Sequence, residues 1–337
     1  MTIRYSVGFP TGMEGLIYPI PFAETGDLLK IAQTAEKYGF DSLWGNDHMT
    51  TQDYVREEFP VPPRFWEVLT TSAWLAGQTT KLRFGTGLLV LPMRRDIVVT
   101  AKQIATLDQL SGGRVEIGIG VGAYREEFEA VQPNVKAHRG DMVEEGIQAL
   151  RKLFTEKSSS FDGKYYQFRN VEFAPKPKQA RLPLLIGGNN INAIRRAALH
   201  GDGWIPAGLH TDRIGEGVKK MHEIAAANGR DPNALQVAPQ FICHVGKDHE
   251  KAIARFRQSQ MHTHLVSLSK STLKEQGSLT HEDINLIGSP DAILTKVAAA
   301  RKAGATHLLG ILFAANDVTE LLDQMQIFAE TVVPHIK

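Results

Sequence analysis

The chain has 337 residues, is 42% hydrophobic, and carries 38 basic and 37 acidic residues for a formal net charge of +1. That balance offers nothing to nucleic acid or an anionic membrane surface, and the length suits one large α/β barrel or two smaller domains. Cys243 is the only cysteine, no apolar run reaches membrane-spanning length, and the opening MTIRYSVGFP lacks a long signal-peptide core, so a soluble, cytoplasmic protein is expected.

Ile3 to Phe9 reads as a first strand, followed by a Gly/Pro-rich loop to Pro21. Phe22 to Tyr38 places Leu28, Leu29, Ile31, Ala32 and Ala35 on one helical face, and Gly39 stops it. Asp41 to Gly45 is a short second strand with Asn46-Asp47-His48 at its carboxyl end. Met49 to Arg64 reads as a long loop, and loops of that length are usually functional or mobile. Trp66 to Gly77 is a helix. Leu82 to Leu91 is a third strand containing Gly85 and Gly87. Ile97 to Leu110 is a helix closed by Ser111-Gly112-Gly113. Val115 to Val121 is a fourth strand, ending in Gly120 and Gly122. Ala137 to Phe154 is a long helix, and FDGKYYQFRNVEF after it reads as a small antiparallel excursion.

Leu182 to Ile186 is the fifth strand and runs into Gly187-Gly188-Asn189. Ile191 to His200 is a helix, Trp204 to Ala207 the sixth strand, and Asp212 to Asn228 a helix. Gln236 to Val245 is the seventh strand, and Glu250 to Leu268 is helical by pattern. The polar stretch Ser269 to Asp283, with Gly277, breaks the alternation. Ser289 then caps a helix that has Pro290 at its first position. His307 to Phe313 is the eighth strand, and Val318 to Val333 the closing helix.

Eight strands alternating with helices, without a linker or composition break, predict one (β/α)8 TIM barrel over residues 1–337, with an open doubly wound sheet as the alternative. Chemistry then belongs at the carboxyl ends of the strands, which puts Phe9, Asp47, Gly87, Gly122, Gly187, Trp204, Gln240 and Phe313 around one mouth. The glycines there let backbone approach a planar or anionic ligand. Arg114 enters its strand from the opposite, stabilising end and reads as structural. Arg139 and Arg195-Arg196 read as salt-bridged, and Trp44 as core. His262 and His264 are two apart, which matches no helical metal spacing, so no metal is expected.

The segments AEKYGFDSLWGNDHM, TTKLRFGTGLLVLP, AKQIATLDQLSGGRVEIGIGVGAYREEF, FDGKYYQF, LPLLIGGNNINAIRRAALHGDGW and IGSPDAILTKVAAARKAGATHL, in that order, resemble the luciferase-like monooxygenase family over nearly the whole chain. The resemblance implies a (β/α)8 barrel with insertions, commonly a homodimer. It implies either reduced FMN with oxygen or the deazaflavin F420 for hydride transfer. It places Asp47 and His48 at the reactive face as catalytic residues, with Asn46 beside them. It puts a bulge with a nonprolyl cis peptide at Gly87-Leu88 under the cofactor ring. Val121, Gly122, Gly187, Gly188 and Asn189 fall where backbone meets the cofactor tail and phosphate. It also implies that Ser269 to Asp283 is a lid, with Lys270 and Lys274 able to meet an anion. Where some similar deazaflavin dehydrogenases carry a glutamate after Gly122, this chain has Ala123, which weakens a sugar-phosphate reading. Glu126 and Glu127 are expected to face solvent or an arginine.

A carboxylate next to an imidazole can orient it and set its tautomer, which suits a general acid or base. The first functional expectation is an FMNH2-dependent monooxygenase acting on a small organic substrate, supplied by a separate flavin reductase. The second is an F420-dependent dehydrogenase or reductase. A non-catalytic flavin-binding barrel is the third, and the polar pair at 47–48 argues against it.

Overall fold

The computed structural model describes residues 3–269 and 279–336. Lys270, Lys274 and Gly277 of the expected lid lie outside them.

The chain runs through β1 (Arg4–Phe9), α1 (Thr25–Lys37), β2 (Ser42–Gly45), α2 (Asp53–Glu58), α3 (Val68–Ala76), β3 (Arg83–Val90), α4 (Ile97–Leu110) and β4 (Val115–Gly120). Then come α5 (Arg125–Val131), α6 (Arg139–Thr155), the hairpin β5 (Ser158–Asp162) and β6 (Gln167–Glu172), β7 (Leu184–Gly187), α7 (Ile191–His200), β8 (Gly203–Ile205) and α8 (Thr211–Ala227). The last part holds β9 (Gln236–Val237), β10 (Ile242–Val245), α9 (His249–Arg257), α10 (Gln260–Ser269), α11 (His281–Ile284), β11 (Leu286–Gly288), α12 (Pro290–Lys302), β12 (His307–Phe313) and α13 (Val318–Thr331).

The large sheet has the order β11-β10-β12-β1-β2-β3-β4-β7-β8-β9 and its pairings are parallel. It closes because β9 and β10 are the two ends of one extended run. On one side Ala238 N donates to Trp204 O at 2.9 Å and Gln240 N to Pro206 O at 2.9 Å. On the other, Leu309 N donates to Pro239 O at 3.0 Å, Leu312 N to Phe241 O at 2.9 Å and Ala314 N to Cys243 O at 2.8 Å. The run therefore bridges β8 and β12, and the predicted seventh strand is interrupted only around Pro239, which has no N–H to donate. The result is the expected (β/α)8 barrel.

Inside the barrel, Trp44, Leu185, Ile205, Ala238 and Leu309 form one layer, with Leu88 packed on it. The Trp44 indole needs bare backbone beside it: a Cβ at Gly85 would lie 2.5 Å from its Cε2. At the amino end a polar plug closes the interior. Glu116 accepts from Arg4 at 2.8 Å and Arg83 at 2.5 Å, and Ser6 pairs with the buried His307. Arg114 there spans the carbonyls of Ala76 and Leu82, the structural role expected of it.

Several elements differ from the sequence reading. The loop Met49 to Arg64 contains α2, and α5 follows β4; both are shorter than two turns' worth of periodic pattern can reveal. The predicted helix Glu250 to Leu268 breaks between Arg257 and Gln260. Asp283 belongs to α11, which a capping box with Thr280 starts. Strand β11, three residues long, adds to β10 outside the barrel. Trp204 and Phe313 sit at the ends of barrel strands but point outward. A Cβ at Gly217 of α8 would strike the Trp204 ring, and Phe313 packs edge-on to Phe40 and Phe328.

Candidate active site

The site grows from the carboxyl end of β2. Beyond Gly45 the chain leaves the sheet, and three successive residues take three different roles. Asn46 offers its carbonyl to the Thr11 hydroxyl at 2.8 Å, tying the loop to the end of β1. Asp47 turns inward and is 3% exposed. Its Oδ2 accepts from Val90 N at 2.9 Å and its Oδ1 from Arg94 Nη2 at 2.6 Å, while Arg94 also reaches Glu67 at 2.8 Å. Burial pushes the Asp47 carboxyl up, and Arg94 and the Val90 amide oppose it. Donors on both of its oxygens are the geometry of an ionised carboxylate.

His48 therefore does not take its partner from the neighbouring aspartate, as the sequence suggested. Its Nδ1 lies 2.9 Å from Oε2 of Glu127, in the first turn of α5. Glu127 faces neither solvent nor an arginine. It is buried, and its Oε1 accepts from Met49 N at 2.6 Å and Thr50 N at 3.4 Å. Burial alone would lift the Glu127 carboxyl; the bond from His48 and these two amides hold it below the ordinary carboxylate range. Gln52, fully buried at the N-cap of α2, packs its amide 3.1 Å from the same imidazole nitrogen. With Nδ1–H donating to a carboxylate, His48 keeps Nε2, which bonds none of the described residues, as a proton acceptor or donor. Gly12 makes room for the ring: a Cβ there would lie 2.9 Å from His48 Cδ2.

The bulge expected in β3 is present. The register with β4 shifts between Thr86 and Leu89, and the Gly87-Leu88 peptide is cis. The bulge swings the Leu88 side chain across the mouth, where a Cβ at Gly120 would meet its Cδ1 at 2.5 Å and a Cβ at Gly187 would also collide with it. The bare strand ends of β4 and β7 thus let Leu88 lie flat as an apolar floor. Gly122 needs its positive φ of 82° to turn the chain toward α5. Arg139 then fixes that turn. It is not salt-bridged as expected, and its Nη1 donates to the carbonyls of Gly122 at 2.9 Å, Val121 at 3.3 Å and Tyr124 at 3.4 Å. Arg195 does pair with Glu144, at 2.7 Å.

Beyond β7 the expected donors are partly committed. Gly188 N donates to Ile205 O at 3.2 Å, and Gly188 O accepts from Trp204 Nε1 at 2.7 Å. The Asn189 side chain clamps both backbone groups of Ala207, at 2.8 and 3.1 Å. The Gly188 amide is thus spent in the barrel wall. The first turn of α7 is exposed, and below the Asn190 cap its Ile191 and Asn192 amides have no intrahelical carbonyl to bond. An apolar floor, a free imidazole nitrogen and a helix N-terminus around one mouth fit a planar redox ring carrying a phosphate. Among the described residues no group of three or more His, Cys, Asp or Glu could hold a metal ion, and no helix is long and apolar enough to cross a membrane.

The chain is similar to three known proteins. An F420-dependent glucose-6-phosphate dehydrogenase from Amycolatopsis mediterranei is 26% identical over 333 residues, spanning 92% of this chain and 94% of that one. The structure of an F420-dependent secondary alcohol dehydrogenase with an F420-acetone adduct superposes with a TM-score of 0.78 at 21% identity, covering all of both chains. The FMN complex of the oxygenating constituent of 3,6-diketocamphane monooxygenase from Pseudomonas putida gives 0.76 at 18% identity, covering 100% of this chain and 99% of that one. The family model for luciferase-like monooxygenases matches residues 11–307, from the loop after β1 into β12. On that match, over this barrel, the chain belongs to the luciferase-like monooxygenase family of oxidoreductases.

Proposed function

We propose that the chain is an F420-dependent oxidoreductase that moves hydride between the deazaflavin and a small alcohol or carbonyl compound. The observation that carries this reading is the His48–Glu127 pair, 2.9 Å apart, with Nε2 of the imidazole left free. The deazaflavin, when bound, supplies the acceptor or donor for the hydride. His48 Nε2 takes the hydroxyl proton as an alcohol loses its hydride, and returns it when a carbonyl is reduced. Glu127 keeps the imidazole in the Nδ1–H tautomer and stabilises its cation. Asp47, tied to Arg94 and Val90, positions the loop that carries His48. Asn46, Gly87, Leu88, Val121 and Gly122 would surround the ring. The phosphate falls to the first turn of α7, next to Gly187, Gly188 and Asn189. The F420-dependent relative that covers 92% of this chain supports the cofactor.

Reduced FMN with oxygen, the first expectation from sequence, remains the second reading. Arg139 favours it, because that side chain is spent on three carbonyls and does not await the polyanionic tail of F420. A separate flavin reductase would then supply the cofactor. A homodimer is proposed in either case; α3 and α4 pack together, and each exposes an apolar residue, Trp74 and Val99, suited to a second copy. Anaerobic fluorescence titration with F420 and with reduced FMN separates the two readings. F420 should bind, and its absorbance should bleach on adding a short secondary alcohol. Binding of reduced FMN alone, with oxygen consumed on admitting air, would overturn the F420 proposal.

A further inference from the structure

Five rings, all neither fully buried nor fully exposed, follow one another beside the reactive nitrogen. His48 lies 5.4 Å from Phe65 and 5.9 Å from Tyr124, centroid to centroid. Tyr124 lies 6.1 Å from Tyr54, and Tyr54 stacks at 6.3 Å on His264. They come from four separate places: the loop after β2, α2 with the loop behind it, the turn before α5, and α10. Such a convergence presents flat apolar faces with polar edges.

The Tyr54, Tyr124 and His264 edges are neutral. The Tyr54 hydroxyl is 3.1 Å from His264 Nδ1 and 3.3 Å from the Tyr124 hydroxyl. Burial drives the His264 imidazole down to about 4, with the His48 charge adding to it, so His264 is uncharged at neutral pH. Burial pushes the Tyr54 and Tyr124 hydroxyls up, keeping both protonated, and the carboxylates of Glu58, Glu126 and Glu127 add to that direction. Carboxylates thus face the two tyrosine hydroxyls. Nearby arginines hold other partners: Arg94 Asp47 and Glu67, Arg125 Glu129, Arg64 Glu14, Arg139 backbone carbonyls, and Arg56 the Thr50 hydroxyl.

We propose that this arc of Phe65, His48, Tyr124, Tyr54 and His264 is the substrate's berth, selecting an uncharged molecule with a flat apolar body and one hydroxyl or carbonyl oxygen, and rejecting phosphorylated or carboxylated ones. The inference rests on the functional reading above for the role of His48. It concerns equilibrium binding, so it can fail while that reading stands. An anion entering here would shed its hydration against three carboxylates, while the nearby arginines already hold other partners. A neutral oxygen meets His48 Nε2, while the hydroxyl of Tyr124 offers a second partner.

Histidine-labelled NMR of the whole protein, with and without saturating F420, tests this with benzyl alcohol, benzoate and glucose 6-phosphate as probes. Signals are assigned with His48→Gln and His264→Gln. Benzyl alcohol should shift both His48 and His264, and the two anions should bind at least about tenfold more weakly. Tyr124→Phe should weaken benzyl alcohol about fivefold, the effect of one neutral hydrogen bond. Tyr54→Trp, which crowds the arc, should abolish the shifts while the circular dichroism stays unchanged. Equal affinity for benzoate or glucose 6-phosphate, or no shift with benzyl alcohol, overturns the proposal. Failure of F420 to bind would instead count against the cofactor reading and leave the probe result to stand.

Discussion

Glu127 and His48 are 79 positions apart in the chain and meet through a 2.9 Å hydrogen bond, while the adjacent Asp47 serves Arg94. If His48 exchanges the substrate proton, His48→Ala should lower turnover about 10²–10⁴-fold and leave cofactor affinity nearly unchanged. Glu127→Gln should cut turnover less, and it should move the pH profile of kcat as well as its height, because an amide stabilises the imidazolium less than a carboxylate does. Steady-state kinetics across pH checks both. Full turnover in a folded His48→Ala variant, or an unshifted profile in Glu127→Gln, would remove the pair from the chemistry. His48 itself was legible in the sequence, since a histidine at the carboxyl end of a barrel strand faces the mouth. Its partner was not. Glu127 follows Glu126 in a charged stretch, and only the turn at Gly122, pinned by Arg139, brings α5 back over the mouth. The Asp47–Arg94 pair hides the same way, because adjacency in sequence says nothing about which way a side chain turns once a strand has ended.

At the level of elements, the bulge in β3 and the bare ends of β4 and β7 form one device. Gly187 has an ordinary φ, so its lack of a side chain is explained by Leu88 and not by backbone conformation. Gly187→Ala should therefore destabilise the fold by about 1–3 kcal/mol through overpacking, and Leu88→Ala should relieve much of that loss in the double variant. Urea denaturation of the two singles and the double measures the coupling. Strict additivity would mean that Leu88 does not occupy the space beside Gly187. Long elements were readable because their signals are local. The helix Ile97–Leu110 and the strand His307–Phe313 match the expected bounds, and Ser289 caps α12 through Ala292 N as its spacing with Pro290 implied. Elements whose formation depends on distant partners were not readable. Strand β11 is three residues that become a strand only beside β10, and α2 is held by Gln52 and Tyr54 reaching into the site.

For the whole molecule, the charge state of its buried imidazoles links stability to pH. His264 is held at about 4 by burial and the His48 charge. His307, inside the amino end of the barrel, is pushed well below its ordinary value by burial, with Arg4 and Arg83 adding to it. His244, bonded through Nδ1 to Ala314 O at 3.0 Å, is lowered by burial too. Each stays neutral in the folded protein and regains an ordinary value near 6.5 when unfolded. Between the two values the unfolded chain binds more protons, so acid favours unfolding. The stability these groups provide is intact above about pH 6.5 and drains as pH falls toward the folded values. The carboxylates of Glu14, Glu67 and Glu127, held below their ordinary range, act later, losing their contribution only as pH falls through their own lower values. The urea midpoint should thus be level between about pH 8 and pH 7, and fall well before carboxylates titrate. His264→Gln should make that early fall shallower by roughly 2 kcal/mol at pH 5, since 1.5 units separate pH 5 from the unfolded value at 1.36 kcal/mol per unit. A midpoint that stays flat from pH 7 down to about pH 5, or a His264→Gln variant with the same slope as the parent, would mean that these imidazoles are charged in the folded barrel.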